Sequence, residues 1–84
     1  MTQHFTLQFT RRCLKELQGL PKTDAQRIAK ALQALEDGLG GDIKKLSNVQ
    51  PAYRLRVGDY RILFDLHGTT LDIQAVRHRR EVYR

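Results

Sequence analysis

The stretch Tyr53-Arg54-Leu55-Arg56-Val57-Gly58-Asp59-Tyr60-Arg61-Ile62-Leu63-Phe64 decides the fold. Apolar and charged residues alternate on both sides of Gly58-Asp59, a dipeptide suited to a two-residue hairpin turn. With that turn Val57 pairs with Tyr60, Leu55 with Ile62 and Tyr53 with Phe64, which makes one apolar face. Arg56 then stands opposite Arg61, and Arg54 opposite Leu63, on the reverse face. A second turn at His67-Gly68 extends the apolar face by pairing Phe64 with Leu71, Ile62 with Ile73 and Tyr60 with Ala75. On that register Gln74 lies beside Arg61.

Outward from the hairpin, the rest of the chain supplies what covers the apolar face. Phe5, Leu7 and Phe9 alternate with Thr6, Gln8 and Thr10, the period of a half-buried strand. A helix follows from about Arg11 to Gln18, with Cys13, Leu14 and Leu17 inward and Gly19 as its stop. Thr23-Asp24-Ala25-Gln26 reads as a capping box opening a second helix, where Ile28, Leu32 and Leu35 recur at helical spacing up to Gly38. The short Leu20-Pro21-Lys22 connector makes the two helices an antiparallel hairpin. Gly38 to Gln50 reads as a loop bearing Lys44 and Lys45, anchored by Leu39, Ile43 and Leu46. The expected fold is α+β in the order β-α-α-β-β-β, with the helix hairpin on one face of a mostly antiparallel four-stranded sheet and the other face wet. At 84 residues the chain is expected to form a single domain, 1–84.

The formal charge is +6 and the pI near 10.0, which favours a polyanionic partner. From Lys44 onward there are nine Lys/Arg against four Asp/Glu, so most of the excess belongs to the meander rather than the helices. Cys13 is the lone cysteine, which rules out an intrachain disulfide and a cysteine metal cluster and fits a reducing, cytoplasmic setting. It reads as a small buried hydrophobe. The opening residues resemble no secretory signal, and no run approaches the ~20 apolar residues of a membrane span.

Like charges directly opposite each other on a sheet cost a few tenths to about 1 kcal/mol. Arg54, Arg56 and Arg61 on one face therefore solubilise it, or ion-pair with Asp72 and Glu81, or bind phosphate. The segment Arg77-His78-Arg79-Arg80 brings more cations to the same end of the sheet. His78 is suited by its ordinary pKa to acid–base work, and Tyr83 to anchoring, stacking on a base or hydrogen bonding to a phosphate. His4, His67 and His78 lack ligand-like spacing, so no metal is expected. Gly38-Leu39-Gly40-Gly41 lacks the Lys-Ser/Thr of a phosphate-binding loop, so no nucleotide cofactor is expected either.

Lys45-Leu46, the Tyr53–Phe64 stretch quoted above and Val76-Arg77-His78-Arg79-Arg80-Glu81-Val82-Tyr83 together resemble the RelE/ParE toxin superfamily of bacterial toxin–antitoxin pairs. The resemblance covers nearly the whole chain. In the RelE branch it implies a ribosome-dependent endoribonuclease that cleaves mRNA in the A site without metal: a 2′-OH attacks the adjacent phosphorus, the 5′-oxygen leaves and a 2′,3′-cyclic phosphate remains. By motif position Arg54, Arg56 and Arg61 match the catalytic basic residues of the sheet. The C-terminal basic position falls on Arg77 or His78, and Tyr83 matches the C-terminal tyrosine. Lys44, Lys45, Arg77, Arg79 and Arg80 are expected to bind RNA phosphates. Where the best-known branch has lysines at the first two positions this chain has arginines, which are effectively never deprotonated. His78 is therefore expected to take the acid–base role.

The same resemblance implies a cognate antitoxin, acidic and partly disordered, covering the helices and the arginine face. Operator DNA is then met only through the antitoxin complex, since the chain has no helix-turn-helix. The alternative within the superfamily is a ParE-like inhibitor of DNA gyrase without nuclease activity.

Overall fold

The computed structural model describes residues 4–78. Two helices pack on one face of a mixed five-stranded sheet. In chain order the elements are β1 (Thr6–Phe9), α1 (Arg11–Gln18), α2 (Lys22–Glu36), β2 (Asp42–Lys45), β3 (Tyr53–Val57), β4 (Tyr60–His67) and β5 (Thr70–His78). The strands lie in the order β1-β5-β4-β3-β2, with β1 parallel to β5 and the remaining pairs antiparallel. The α+β class and the helix hairpin are as the sequence indicates, but the sheet has one strand more than expected.

The extra strand is β2, in the segment read from the sequence as a loop. Its residues Asp-Ile-Lys-Lys offer one apolar side chain, so alternation has almost nothing to register there. Pairing supplies what propensity lacks: Ile43 faces Leu55 and packs against the core, while Asp42 and Lys44 face Arg56 and Arg54. Exposed lysines suit an edge strand because they discourage further strand pairing.

The first hairpin has the expected register, with Gly58 at φ 59 in its two-residue turn and Tyr53 stacked on Phe64 at 5.5 Å. The second does not. Its loop is Gly68-Thr69, so His67 faces Thr70, Leu66 faces Leu71 and Phe64 faces Ile73. The left-handed residue the loop needs is Gly68, at φ 63, and it takes the first loop position rather than the second. Beyond Phe64 the register slips by one residue at a bulge, so that Leu63 faces Ala75, Ile62 faces Val76, Arg61 faces Arg77 and Tyr60 faces His78. Gln74 is thus the unmatched residue of the bulge and does not lie beside Arg61.

The core lies between α2 and the sheet, where Ile28, Leu32 and Leu35 meet Leu55, Ile62, Phe64, Leu71 and Ile73. Cys13 is wholly buried in it, and burial raises its thiol pKa. Leu14, expected inward, is 45 % exposed: it follows Cys13 by one helical step, and the eight-residue α1 turns it away from the core. Thr10 caps α1 by accepting the Cys13 N–H. The capping box expected on α2 is absent. The helix starts at Lys22 after Pro21, which places Thr23 inside the first turn, and no side chain caps it.

Candidate nucleic-acid interface

Residues opposite one another on neighbouring strands share a face of the sheet. The pairings therefore define a row, Asp42-Arg56-Arg61-Arg77, running across β2, β3, β4 and β5 on the face away from the helices. The next row on that face is Lys44-Arg54-Leu63-Ala75. Four arginines and a lysine thus occupy two adjacent rows.

The ends of the array carry counter-charges. Arg54 Nη2 lies 3.8 Å from Asp42 Oδ1, and Arg77 Nη1 contacts Glu16 Oε2 on α1. Among the described residues the centre does not. Arg61 is only 5 % exposed, and its Nη1 donates to the carbonyls of Gly58, at 3.1 Å, and Tyr60, at 3.0 Å. Those bonds fold the guanidinium back over the hairpin turn. Among the described residues the Nε atoms of Arg54 and Arg61 are buried without a hydrogen-bond partner. A buried unpaired donor carries a desolvation cost with no return in stability, so solubilising the sheet does not account for these residues. Arg56 is exposed and presents its charge to solvent.

The reverse face is not uniformly wet or uniformly basic. Farther along it Asp65 faces Asp72; buried Asp65 accepts from the Ala52 N–H and from Gln74 Nε2, both at 2.7 Å. Asp65 thereby ties the bulge to the loop before β3. Among the described residues Asp72 forms no ion pair with the arginines; Asp42 and Glu16 take that part.

The bulge decides which C-terminal residue joins the arginines. Without it, strict alternation from Ile73 would put His78 on the arginine face and Arg77 toward the helices. With it, Arg77 completes the row, while Val76 and His78 face the helices. His78 meets the Tyr60 ring edge-on at 5.3 Å, and Tyr60 Oη donates to Asp24 Oδ2 of α2 at 2.9 Å. Both rings line a cleft of about 310 Å³ between β5 and the α1–α2 turn, together with Lys15, Glu16, Leu20 and Val76.

The expected phosphate ligands are likewise divided. Lys44 lies on the arginine face, whereas Lys45, opposite Tyr53, lies on the other. Arg79, Arg80 and Tyr83 fall outside the described residues. Sequence reading missed Glu16 and Asp42, the two carboxylates that bracket the array. Glu16 gave no signal beyond being the single acid of α1 among Arg11, Arg12 and Lys15. Among the described residues no three His, Cys, Asp or Glu side chains stand together as metal ligands, and no helix is long and apolar enough to cross a membrane.

Residues 7–83 match the family described as the ParE toxin of the type II toxin–antitoxin system parDE. Toxin RelE3 of Methanocaldococcus jannaschii is 31 % identical over 80 residues, covering 89 % of this chain and 91 % of the relative. The crystal structure of the RelB–RelE antitoxin–toxin complex from Methanococcus jannaschii superposes with TM-score 0.75 at 30 % identity, over 89 % of this chain and 93 % of the other. The isolated Escherichia coli RelE toxin superposes with TM-score 0.72 at 26 % identity, over 94 % and 90 %.

Proposed function

The chain belongs to the RelE/ParE superfamily of type II toxin–antitoxin toxins, and from that membership we propose that it is a ribosome-dependent endoribonuclease cutting mRNA in the A site. The observation that carries this reading is the Arg56-Arg61-Arg77 row. Three like charges abreast disfavour the free protein, and an RNA phosphate turns the same repulsion into attraction.

In the proposed reaction the ribose 2′-oxygen forms a bond to the adjacent phosphorus. The P–O5′ bond breaks, the 2′ proton passes to an acceptor, and the departing 5′-oxygen takes up a proton. The crowded phosphorane gathers charge on its non-bridging oxygens, and fixed cations stabilise it more than they do the starting diester. Exposed Arg56 makes the direct contact, with Arg77 at the outer end of the row. Arg61 adds charge from a buried position, where solvent screens it less. Arg54 and Lys44 extend the grip to a neighbouring phosphate.

Guanidinium does not accept the 2′ proton. His78, assigned that role from the sequence, points into the cleft on the opposite face of β5. Charge neutralisation by the row is therefore the larger contribution of this chain, and His78 the smaller. Tyr83 keeps its motif-derived role of orienting the base or the leaving group.

The cellular inhibitor is a cognate antitoxin, as in the RelB complexes of the structural relatives. Its complement is acidic, because it has to silence the arginine face, and action on ribosomes places the toxin in the cytoplasm. The ParE family match favours one second reading, inhibition of DNA gyrase without cleavage. Inducing the wild type and Arg61→Ala, then mapping new 5′ ends on polysome-bound message, separates the two. The nuclease reading expects cuts that vanish in the variant; DNA damage without cuts supports gyrase.

A further inference from the structure

On one side β5 runs past its neighbour. β1 ends at Phe9, opposite Ile73, and among the described residues no strand covers positions 74–78 on that edge. The chain entering α1 and the helix itself cover it instead. Thr10 N–H donates to the Ile73 carbonyl at 3.1 Å, Thr10 Oγ1 donates to the Gln74 carbonyl at 3.0 Å, and Glu16 Oε1 accepts the Val76 N–H at 3.1 Å.

The other oxygen of the same carboxylate, Oε2, holds Arg77 Nη1. Glu16 therefore grips two successive residues of β5, one through its backbone and one through its guanidinium. Both side chains are largely withdrawn from solvent, Glu16 at 22 % and Arg77 at 19 % exposure, so salt screens the pair weakly. Arg12 Nε, at 3.9 Å from Oε2 and with its own side chain well exposed, adds little.

Capping the Val76 amide needs an acceptor oxygen, which a neutral amide side chain also offers. The charge of Glu16 answers to something else. Arg77 faces Arg61 directly and, without a counter-charge, is pushed away from the row. We propose that Glu16 is the positioning residue of Arg77: it fixes the guanidinium at the outer end of the row, in the orientation that meets an RNA phosphate, and offsets its repulsion from Arg61 until that phosphate arrives. This role rests on the endoribonuclease reading above.

The test compares the full-length wild type, Glu16→Gln, Arg77→Ala and the double variant on ribosomes programmed with a defined message. Glu16→Gln keeps the acceptor for Val76 and is expected to stay folded, with a urea midpoint lowered by the loss of the ion pair. Its kcat falls on the order of tenfold from the misplaced guanidinium. KM moves less than about twofold, and in the Arg77→Ala background the same substitution changes kcat by less than about twofold, because there is nothing left to position. In side-chain NMR of the isolated toxin the Arg77 guanidinium signals, separate in the wild type, broaden into fast exchange in Glu16→Gln.

A parental kcat in Glu16→Gln, or an equal loss in both Arg77 backgrounds, overturns the positioning role while leaving the nuclease reading intact. A wild type that cuts no message overturns the nuclease reading before any variant is compared, and the positioning role with it.

Discussion

Arg61 and Arg77 face one another directly across β4 and β5, and Arg56 faces Arg61 from the other side. Among the described residues carboxylates stand only at the flanks, with Asp42 against Arg54 and Glu16 against Arg77. Folding alone does not favour such a row. Its members differ in what they can be asked: Arg56 is exposed, Arg61 is buried and bonded to its own hairpin turn, and Arg77 is tethered to a helix.

Arg56 gives the cleanest measure of phosphate contact, because among the described residues its side chain makes no hydrogen bond. In Arg56→Ala the stability should hold or rise by a few tenths of a kcal/mol as repulsion is relieved. The salt dependence of binding to a short single-stranded RNA should weaken by about 0.7 in log–log slope, the share of one lost phosphate contact. Titrations at several salt concentrations check this; an unchanged slope removes Arg56 from the interface.

Arg77→Ala should reduce message cleavage more than His78→Ala. The former loses a cation on the arginine face, a loss of about 10²-fold for a group that stabilises developing charge. The latter removes a ring that faces Tyr60 and the cleft. Single-turnover rates on programmed ribosomes decide the order, and the reverse order would restore His78 to the centre of the chemistry.

Deleting Gln74 should close the bulge and leave the faces of everything after it unchanged, because Ala75 would then follow Ile73 directly and still face Leu63. With the Gln74–Asp65 bond lost and buried Asp65 short of a partner, stability should fall by about 2 kcal/mol, as read from urea unfolding. Arg77 stays in the row, so cleavage should fall far less than in Arg77→Ala.

Tyr60→Phe removes the bond from Tyr60 Oη to Asp24 that ties β4 to α2. A loss of about 1 kcal/mol is expected in urea unfolding. Cleavage should change little, since the hydroxyl lies on the face away from the arginines.

Burial raises the Cys13 thiol pKa, so the unfolded chain releases that proton at lower pH than the folded one. Linkage then fixes the sign: this contribution to stability is intact below the ordinary value of 9.0 and is lost as pH rises through it toward the folded pKa. Comparing unfolding free energies of the wild type and Cys13→Ala across that range isolates the effect. The variant should show the shallower decline.

The first hairpin was legible because alternation and turn chemistry agree: Gly58 supplies the turn and every apolar residue around it except Leu63 then lands on one side. The β1 strand and both helices were legible for similar reasons of period. Elsewhere two signals conflicted or fell silent. His67-Gly68 and Gly68-Thr69 are both plausible turns, and Gly68 serves the first position of the loop. β2 has one apolar residue among charges, so only its pairing with β3 reveals it. The capping box at Thr23 was overridden by Pro21, which takes the N-cap position two residues earlier.

The sequence by itself determined the apolar and charged faces of the central hairpin, and with them the opposition of Arg56 and Arg61, because pleat alternation and one turn leave no other arrangement. Only the tertiary structure decided that Arg77 rather than His78 completes the row. The reason is the bulge at Gln74: one unmatched residue reverses the face of all that follow. What holds it is nonlocal, with Asp65 taking the Gln74 amide, Thr10 taking its carbonyl and Glu16 capping the edge beyond. No local pattern in β5 encodes contacts made by α1 and β4, and so the composition of the site waited on the fold.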